Sequence, residues 1–160
     1  MSDLRVGLGV DAHAFAEGVT LVLGGVRFDH PRGLAGHSDG DVVTHALIDA
    51  ILGAAGLGDL GTLFPSDETT PAGIDSLDML ADAVARAGDA GYVLVNADCM
   101  LVGQEPRIAD RRGEMEGRLA EVAGGPVSVR ATTTDRLGFT GRGEGLAAHA
   151  VALLRRRDGL

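Results

Sequence analysis

Two clusters of side chains in this chain could act on a charged substrate. The first is Asp11-x-His13, with His45 further along and the polar run His37-Ser38-Asp39-Gly40-Asp41 before it. Carboxylate and imidazole are ligands that zinc accepts. Three such ligands leave a fourth position open, the pattern of a catalytic rather than a structural zinc site. Asp49 follows His45 by one helical turn and is expected to orient its imidazole. Each residue alone has a plainer reading. Asp-x-His can be a strand end with two solvated polar groups, and a lone helical histidine is more often simply hydrogen-bonded. Their conjunction with the polar run is what favours the metal.

The second cluster is ATTTDRLGFTGRGEG, residues 131–145. Threonine hydroxyls, free backbone N–H groups and a helix N-terminus all bind anions. Arg142 adds a guanidinium fork for phosphate. A threonine-rich strand followed by a glycine turn is the plain alternative. Gly141, Gly143 and Gly145 do not have the spacing of a dinucleotide fingerprint.

These residues need elements to hold them. Residues 4–13 read as a strand, with Val6, Leu8 and Val10 on one face and Gly7, Gly9, Asp11 and His13 on the other. TLVLGGVRF reads as a hairpin turning at Gly24-Gly25. Apolar residues repeat at helical spacing over 39–57, with Asp39 or Asp41 as the cap. Helices are also expected over 76–90, 108–123 and 144–156, and strands at YVLVNADCMLVG and PVSVRATTT. Strands interleaved with helices predict an α+β fold, an α/β sandwich in which a mixed sheet carries helices on one face. The other face then needs a partner subunit. No repeat, linker or domain boundary is visible, so residues 1–160 are expected to form a single domain.

Composition narrows the function. Hydrophobic content of 45% supports a core, built from aliphatic residues because aromatics are only 3%. The net charge of −9 argues against nucleic-acid or anionic-membrane partners. All 14 basic residues are arginine, so a phosphate is held by arginine, backbone or metal. Cys99 is the only cysteine, which excludes an internal disulfide and a cysteine zinc site. No signal peptide or membrane-spanning run is evident, and a cytoplasmic location is expected.

The stretches VDAHAF, AGHSDGDVVTHALIDAILGAAGLGDLGTLFPSD, GQEPRI and ATTTDRLGFTGRGEG follow in order from residue 10 to residue 145. They resemble the 2-C-methyl-D-erythritol 2,4-cyclodiphosphate synthase family of the non-mevalonate isoprenoid pathway. The resemblance implies a homotrimer with active sites shared between subunits. It implies cyclisation of 4-diphosphocytidyl-2-C-methyl-D-erythritol 2-phosphate with release of CMP. By the same resemblance Asp11, His13 and His45 match the ligands of one zinc ion per subunit. His37 and Thr133 match transition-state stabilisers, with Ser38 on the substrate. Asp135 matches the ligand of a second ion, magnesium or manganese. Asp59, Gly61, Phe64, Ser66 and Asp67 match the methylerythritol pocket. Gly103, Pro106, Arg107, Ile108, Ala109, Ala131, Thr132 and Thr133 match the cytidine pocket, and Thr134 joins the substrate contacts. Phe139, Arg142 and Glu144 match a cavity on the threefold axis that can take an isoprenoid diphosphate, Phe139 and Arg142 being counted with the substrate contacts too. Three positions depart from the pattern: Ser66 replaces an acid, Arg107 stands where lysine is frequent, and Asp135 where glutamate is frequent. The alternative function is a zinc-dependent phosphohydrolase acting on a nucleoside-diphosphate-linked substrate with water as nucleophile.

Overall fold

Two glycines set how the first strand meets the first helix. In the computed structural model, which describes residues 3–157, strand β1 spans Leu4–Glu17 and helix α1 spans Val42–Ala55. A Cβ on Gly7 would lie 1.9 Å from the Ala50 carbonyl oxygen, and one on Gly9 would lie 1.8 Å from that of Ala46. Only bare backbone lets α1 lie this close on the strand. The same strand face continues to Asp11 and His13, so the close packing brings His45 of α1 over them.

The start of α1 is fixed by Asp41, which is fully buried and accepts from the N–H groups of Gly24, Gly25 and Thr44 at 2.9, 2.7 and 3.0 Å. Of the two expected caps it is Asp41 that serves, so the helix begins at Val42 rather than at 39. Gly24 and Gly25 turn the expected hairpin, β2 (Leu21–Leu23) against β3 (Val26–Phe28). Asp41 therefore joins that hairpin to the helix.

One sequence expectation fails outright. Residues 144–156 are not a helix: Gly145–Arg156 is strand β7. Small and aliphatic residues there fit either period. Position in the fold decides, because β7 lies between β1 and β5 (Tyr92–Val102), antiparallel to both. Leu146, Ala148, Ala150, Ala152 and Leu154 point into the core at period two. The sheet is completed by β4 (Arg32–Leu34), antiparallel to β1, and by β6 (Val127–Thr132), parallel to β5. Its order is β4-β1-β7-β5-β6, a mixed sheet as expected.

Two more long helices cover the same face as α1. Helix α3 spans Ser76–Asp89, and α4 spans Arg112–Ala123 after a 3₁₀ turn at Ala109–Arg111, which shortens the helix expected from 108. Two four-residue helices, α2 (Leu60–Leu63) and α5 (Gly138–Gly141), lie in connections. On the opposite sheet face Val6, Leu8 and Val10 are 71%, 65% and 52% exposed. No element among the described residues covers that apolar row. No helix among them is long and apolar enough to cross a membrane.

Candidate active site

Asp11, His13 and His45 come together. The Asp11 carboxylate oxygen lies 2.7 Å from Nε2 of His13 and 3.1 Å from Nδ1 of His45, and the two nitrogens are 3.2 Å apart. A tetrahedral ion with bonds near 2.0–2.1 Å has ligand–ligand edges of about 3.3 Å. The triangle is close to one face of that tetrahedron. Both rings have a hydrogen-bond partner on the side away from the cluster. His13 Nδ1–H donates to the Ala35 carbonyl at 2.7 Å, which turns Nε2 toward the cluster, where an ion could replace its proton. His45 Nε2 faces the hydroxyls of Ser38 and Ser76 at 3.0 and 2.9 Å, which leaves Nδ1 toward the cluster. These residues fit a metal ion.

The three groups also shift one another's protonation. Burial pushes the Asp11 carboxyl up, but the His13 and His45 rings outweigh it and hold its pKa at about 2. Asp11 in turn raises the pKa of His13 above its ordinary value, against the opposing effect of burial. Asp49 does not play the part expected of it. It accepts from the Leu60 N–H at 2.7 Å, and among the described residues no hydrogen bond joins it to His45. It secures the start of α2, and burial lifts its carboxyl above the ordinary range.

A cavity of about 110 Å³ opens on the cluster, with His37, Ser38, Phe64 and Ser66 in its wall. His37 Nε2–H donates to the Thr70 carbonyl at 2.5 Å, which fixes the ring beside the cluster. Asp59 and Gly61 flank the wall residue Leu60, and Asp67 follows Ser66. Asp59 and Asp67 are exposed, and each carboxylate is held below its ordinary range by a threonine hydroxyl, of Thr62 and Thr69 respectively.

The remaining residues form a second group. The parallel pairing of β5 with β6 puts Val102 beside Thr132, and the Gly103 N–H donates to the Thr132 carbonyl at 3.0 Å. Gly103, Pro106, Arg107, Ile108 and Ala109 therefore leave the sheet beside Ala131, Thr132 and Thr133. The Ile108 side chain is buried in the core, so its backbone is the part free to meet a ligand. Asp135 and Arg136 turn the chain with φ of 52° and 67°, and the Thr133 hydroxyl lies 3.3 Å from the Asp135 carboxylate. Thr134 is spent on the turn, donating to the Leu137 carbonyl at 2.7 Å. Phe139 is exposed, and Arg142 pairs with Glu144 at 2.9 Å. The helix expected to open here is absent, since α5 has four residues and β7 follows. An anion at this segment would meet hydroxyls, backbone groups and arginine.

The Glu144 carbonyl accepts the Phe15 N–H at 2.9 Å, so Arg142 and Glu144 lie by β1 just past His13, whereas the end of β6 lies across the sheet from the cluster. The row Asp11–Ala148–Leu101–Ala131 crosses β1, β7, β5 and β6. Three strand spacings make about 14 Å. Ser76 is the site residue that sequence reasoning missed. Its place after Asp75 in DSLDML reads as a helix start and says nothing of His45.

Known proteins fit this geometry. The YgbB family model matches residues 4–155. A 2-C-methyl-D-erythritol 2,4-cyclodiphosphate synthase of Alkalilimnicola ehrlichii is 54% identical, the match covering 98% of this chain and 97% of that one. An IspF of Plasmodium falciparum, solved as a CDP complex, superposes with a TM-score of 0.84 at 31% identity, covering 97% of each chain. The bifunctional IspDF of Campylobacter jejuni gives a TM-score of 0.93 at 39% identity, and this chain spans 43% of that larger one while 97% of its own length is covered. The chain belongs to the YgbB family, the family of the 2-C-methyl-D-erythritol 2,4-cyclodiphosphate synthases.

Proposed function

We propose that the chain, residues 1–160 as one synthase domain, works as a cytoplasmic homotrimer. In it the metal cluster of one subunit faces the strand-end group of the next. The reaction is that of the family. 4-Diphosphocytidyl-2-C-methyl-D-erythritol 2-phosphate is cyclised to 2-C-methyl-D-erythritol 2,4-cyclodiphosphate and CMP, a phosphorus–oxygen lyase step in isoprenoid precursor synthesis.

One observation carries the shared-site reading: the separation of about 14 Å across the sheet. Both groups must act on one diphosphate, whose phosphorus atoms share a bridging oxygen, and that span supports drawing them from different subunits. The exposed row of Val6, Leu8 and Val10 supports a neighbour as well.

An oxygen of the 2-phosphate attacks the β-phosphorus. The bond from that phosphorus to the bridging oxygen breaks, and CMP leaves with the electron pair. The nucleophile is already an anion, so no general base is required. The protein has to hold two like charges together and exclude water. Zinc on Asp11, His13 and His45, and magnesium or manganese on Asp135, would supply the positive charge that this approach requires. His37 of one subunit and Thr133 of the next stabilise the transition state, and Ser38 holds substrate beside His37. Asp59, Gly61, Phe64, Ser66 and Asp67 take the methylerythritol. The segments at 103–109 and 131–134 take the cytidine. Phe139, Arg142 and Glu144 line a threefold cavity suited to an isoprenoid diphosphate.

Phosphorus NMR of the protein with the diphosphocytidyl substrate tests the reading. CMP and the cyclic diphosphate are expected in equal amounts. Orthophosphate or an open-chain bisphosphate as the main product would establish the hydrolase instead.

A further inference from the structure

The metal reading uses one ring nitrogen of His45. Nδ1 faces Asp11 and His13; once it is given to the ion, Nε2 carries the proton and needs an acceptor. Two hydroxyls are in reach, Ser38 Oγ at 3.0 Å and Ser76 Oγ at 2.9 Å. They are not equivalent. Ser38 lies in the cavity wall, and its oxygen already accepts the Gly40 N–H at 3.2 Å. Ser76 is fully buried at the first position of α3, and its own proton goes to the Asp39 carboxylate in a short contact. A hydroxyl that donates to a carboxylate turns its lone pairs toward the ring and is polarised by the charge. Asp39 cannot swing away. It accepts the backbone N–H groups of Ser76 and Asp41 at 3.0 and 3.1 Å, and its own N–H donates to the Ile74 carbonyl at 3.1 Å.

We infer that Asp39 and Ser76 are positioning residues of the metal site. Together with His45 they form a carboxylate–hydroxyl–imidazole relay that locks the ring and its tautomer and strengthens Nδ1 as a ligand. The inference rests on Asp11, His13 and His45 being the metal ligands. The relay ties the ring to the loop before α1 and to the first turn of α3, so three segments fix one nitrogen. Partners behind a metal-bound histidine are worth about 10- to 100-fold in metal affinity.

Zinc affinity, measured by competition with a chromophoric chelator, and the ligand-field spectrum of the cobalt(II) form provide the test. Ser76→Ala is expected to bind zinc about 10- to 100-fold more weakly. Its cobalt bands should shift, and Ser76→Thr, which keeps the hydroxyl, should restore both readouts. Asp39→Asn keeps an acceptor oxygen but loses the charge, and a smaller loss is expected. Combined with Ser76→Ala it should add nothing, because the relay acts as a unit. Wild-type affinity and spectrum in Ser76→Ala, or losses that simply add, overturn the relay while the metal reading stands. A wild-type protein that binds no zinc overturns both. If Ser76→Ala fails to fold, Asp39→Asn decides: unchanged zinc affinity in that variant overturns the relay.

Discussion

Asp11, His13 and His45 lie within 3.2 Å of one another, and their rings are tied to Ala35, Ser38 and Ser76. Thr132, Thr133 and Asp135 stand exposed at the other side of the same sheet. The contrast follows from what each group has to hold. A metal ligand must be placed to a few tenths of an ångström, and only rigid elements packed backbone to backbone do that, here β1 and α1 through Gly7 and Gly9. A strand end that presents hydroxyls and backbone groups can wait for another surface to close over it. On the proposed shared-site reading, one half of the site is finished by the chain's own packing, and the other half is left open.

The largest effect should come from breaking the finished half. His45→Ala should lose most bound zinc and at least about 10³-fold in turnover, since charge neutralisation of a phosphoryl centre is worth several kcal/mol. The far-ultraviolet circular dichroism should stay as in the wild type, because the core of α1 is untouched. Full zinc occupancy by elemental analysis would remove His45 from the ligand set and with it the idea of a finished half.

Separating the halves comes next. Leu8 is 65% exposed, beside Val6 and Val10, with Val151 opposite it on β7. Leu8→Asp puts a charge where the proposed partner buries apolar surface, at a cost of several kcal/mol per unpaired carboxylate. Light scattering should fall from three chains to one. Zinc binding should survive, and cyclisation should drop by about 10²-fold or more, in line with that cost. A monomer that cyclises at the wild-type rate would show that one chain completes the site.

The same division explains what could be read from the sequence. The finished half depends on local spacing. Asp11 and His13 share a strand face because they are two apart, Gly7 and Gly9 announce a close approach, and the cluster Asp39-Gly40-Asp41 announces a cap. What escaped is what tertiary packing decides. Residues 144–156 carry Ala147, Ala148, Ala150 and Ala152, which are neutral between periods, and only their place between β1 and β5 makes them a strand. Asp49 has the spacing to support His45 but is drawn instead to the Leu60 N–H, eleven residues on. Ser76 reaches His45 across 31 residues, a distance along which no periodic pattern runs. The roles of Thr133, Asp135 and Arg142 rest on family resemblance, because the surface that would explain them is not in this chain's own fold.

The smallest effect, and the sharpest probe of the open half, concerns Asp135. Its φ of 52° is in the left-handed region, which aspartate tolerates better than most residues. Its carboxylate reaches about 1.5 Å less far than a glutamate's would at this position, one carbon–carbon bond. Magnesium holds its oxygen ligands at about 2.1 Å and accepts little error. The shorter arm therefore implies either a strand end seated closer to the phosphates or a water between carboxylate and ion, and in both cases a looser hold. The Thr133 hydroxyl donates to that carboxylate at 3.3 Å. Asp135→Asn retains the shape and the tolerance of positive φ and removes only the charge. It is expected to slow cyclisation by about 10-fold at low magnesium, the worth of one lost ion contact, and to recover partly as magnesium is raised. Asp135→Glu should remain active and show the steeper preference for magnesium. Zinc occupancy should be unchanged in both, since the residue belongs to the other half. Wild-type rate and metal dependence in Asp135→Asn would mean that the second ion rests on phosphates and water alone, and that the open half contributes hydroxyls and shape but no ligand.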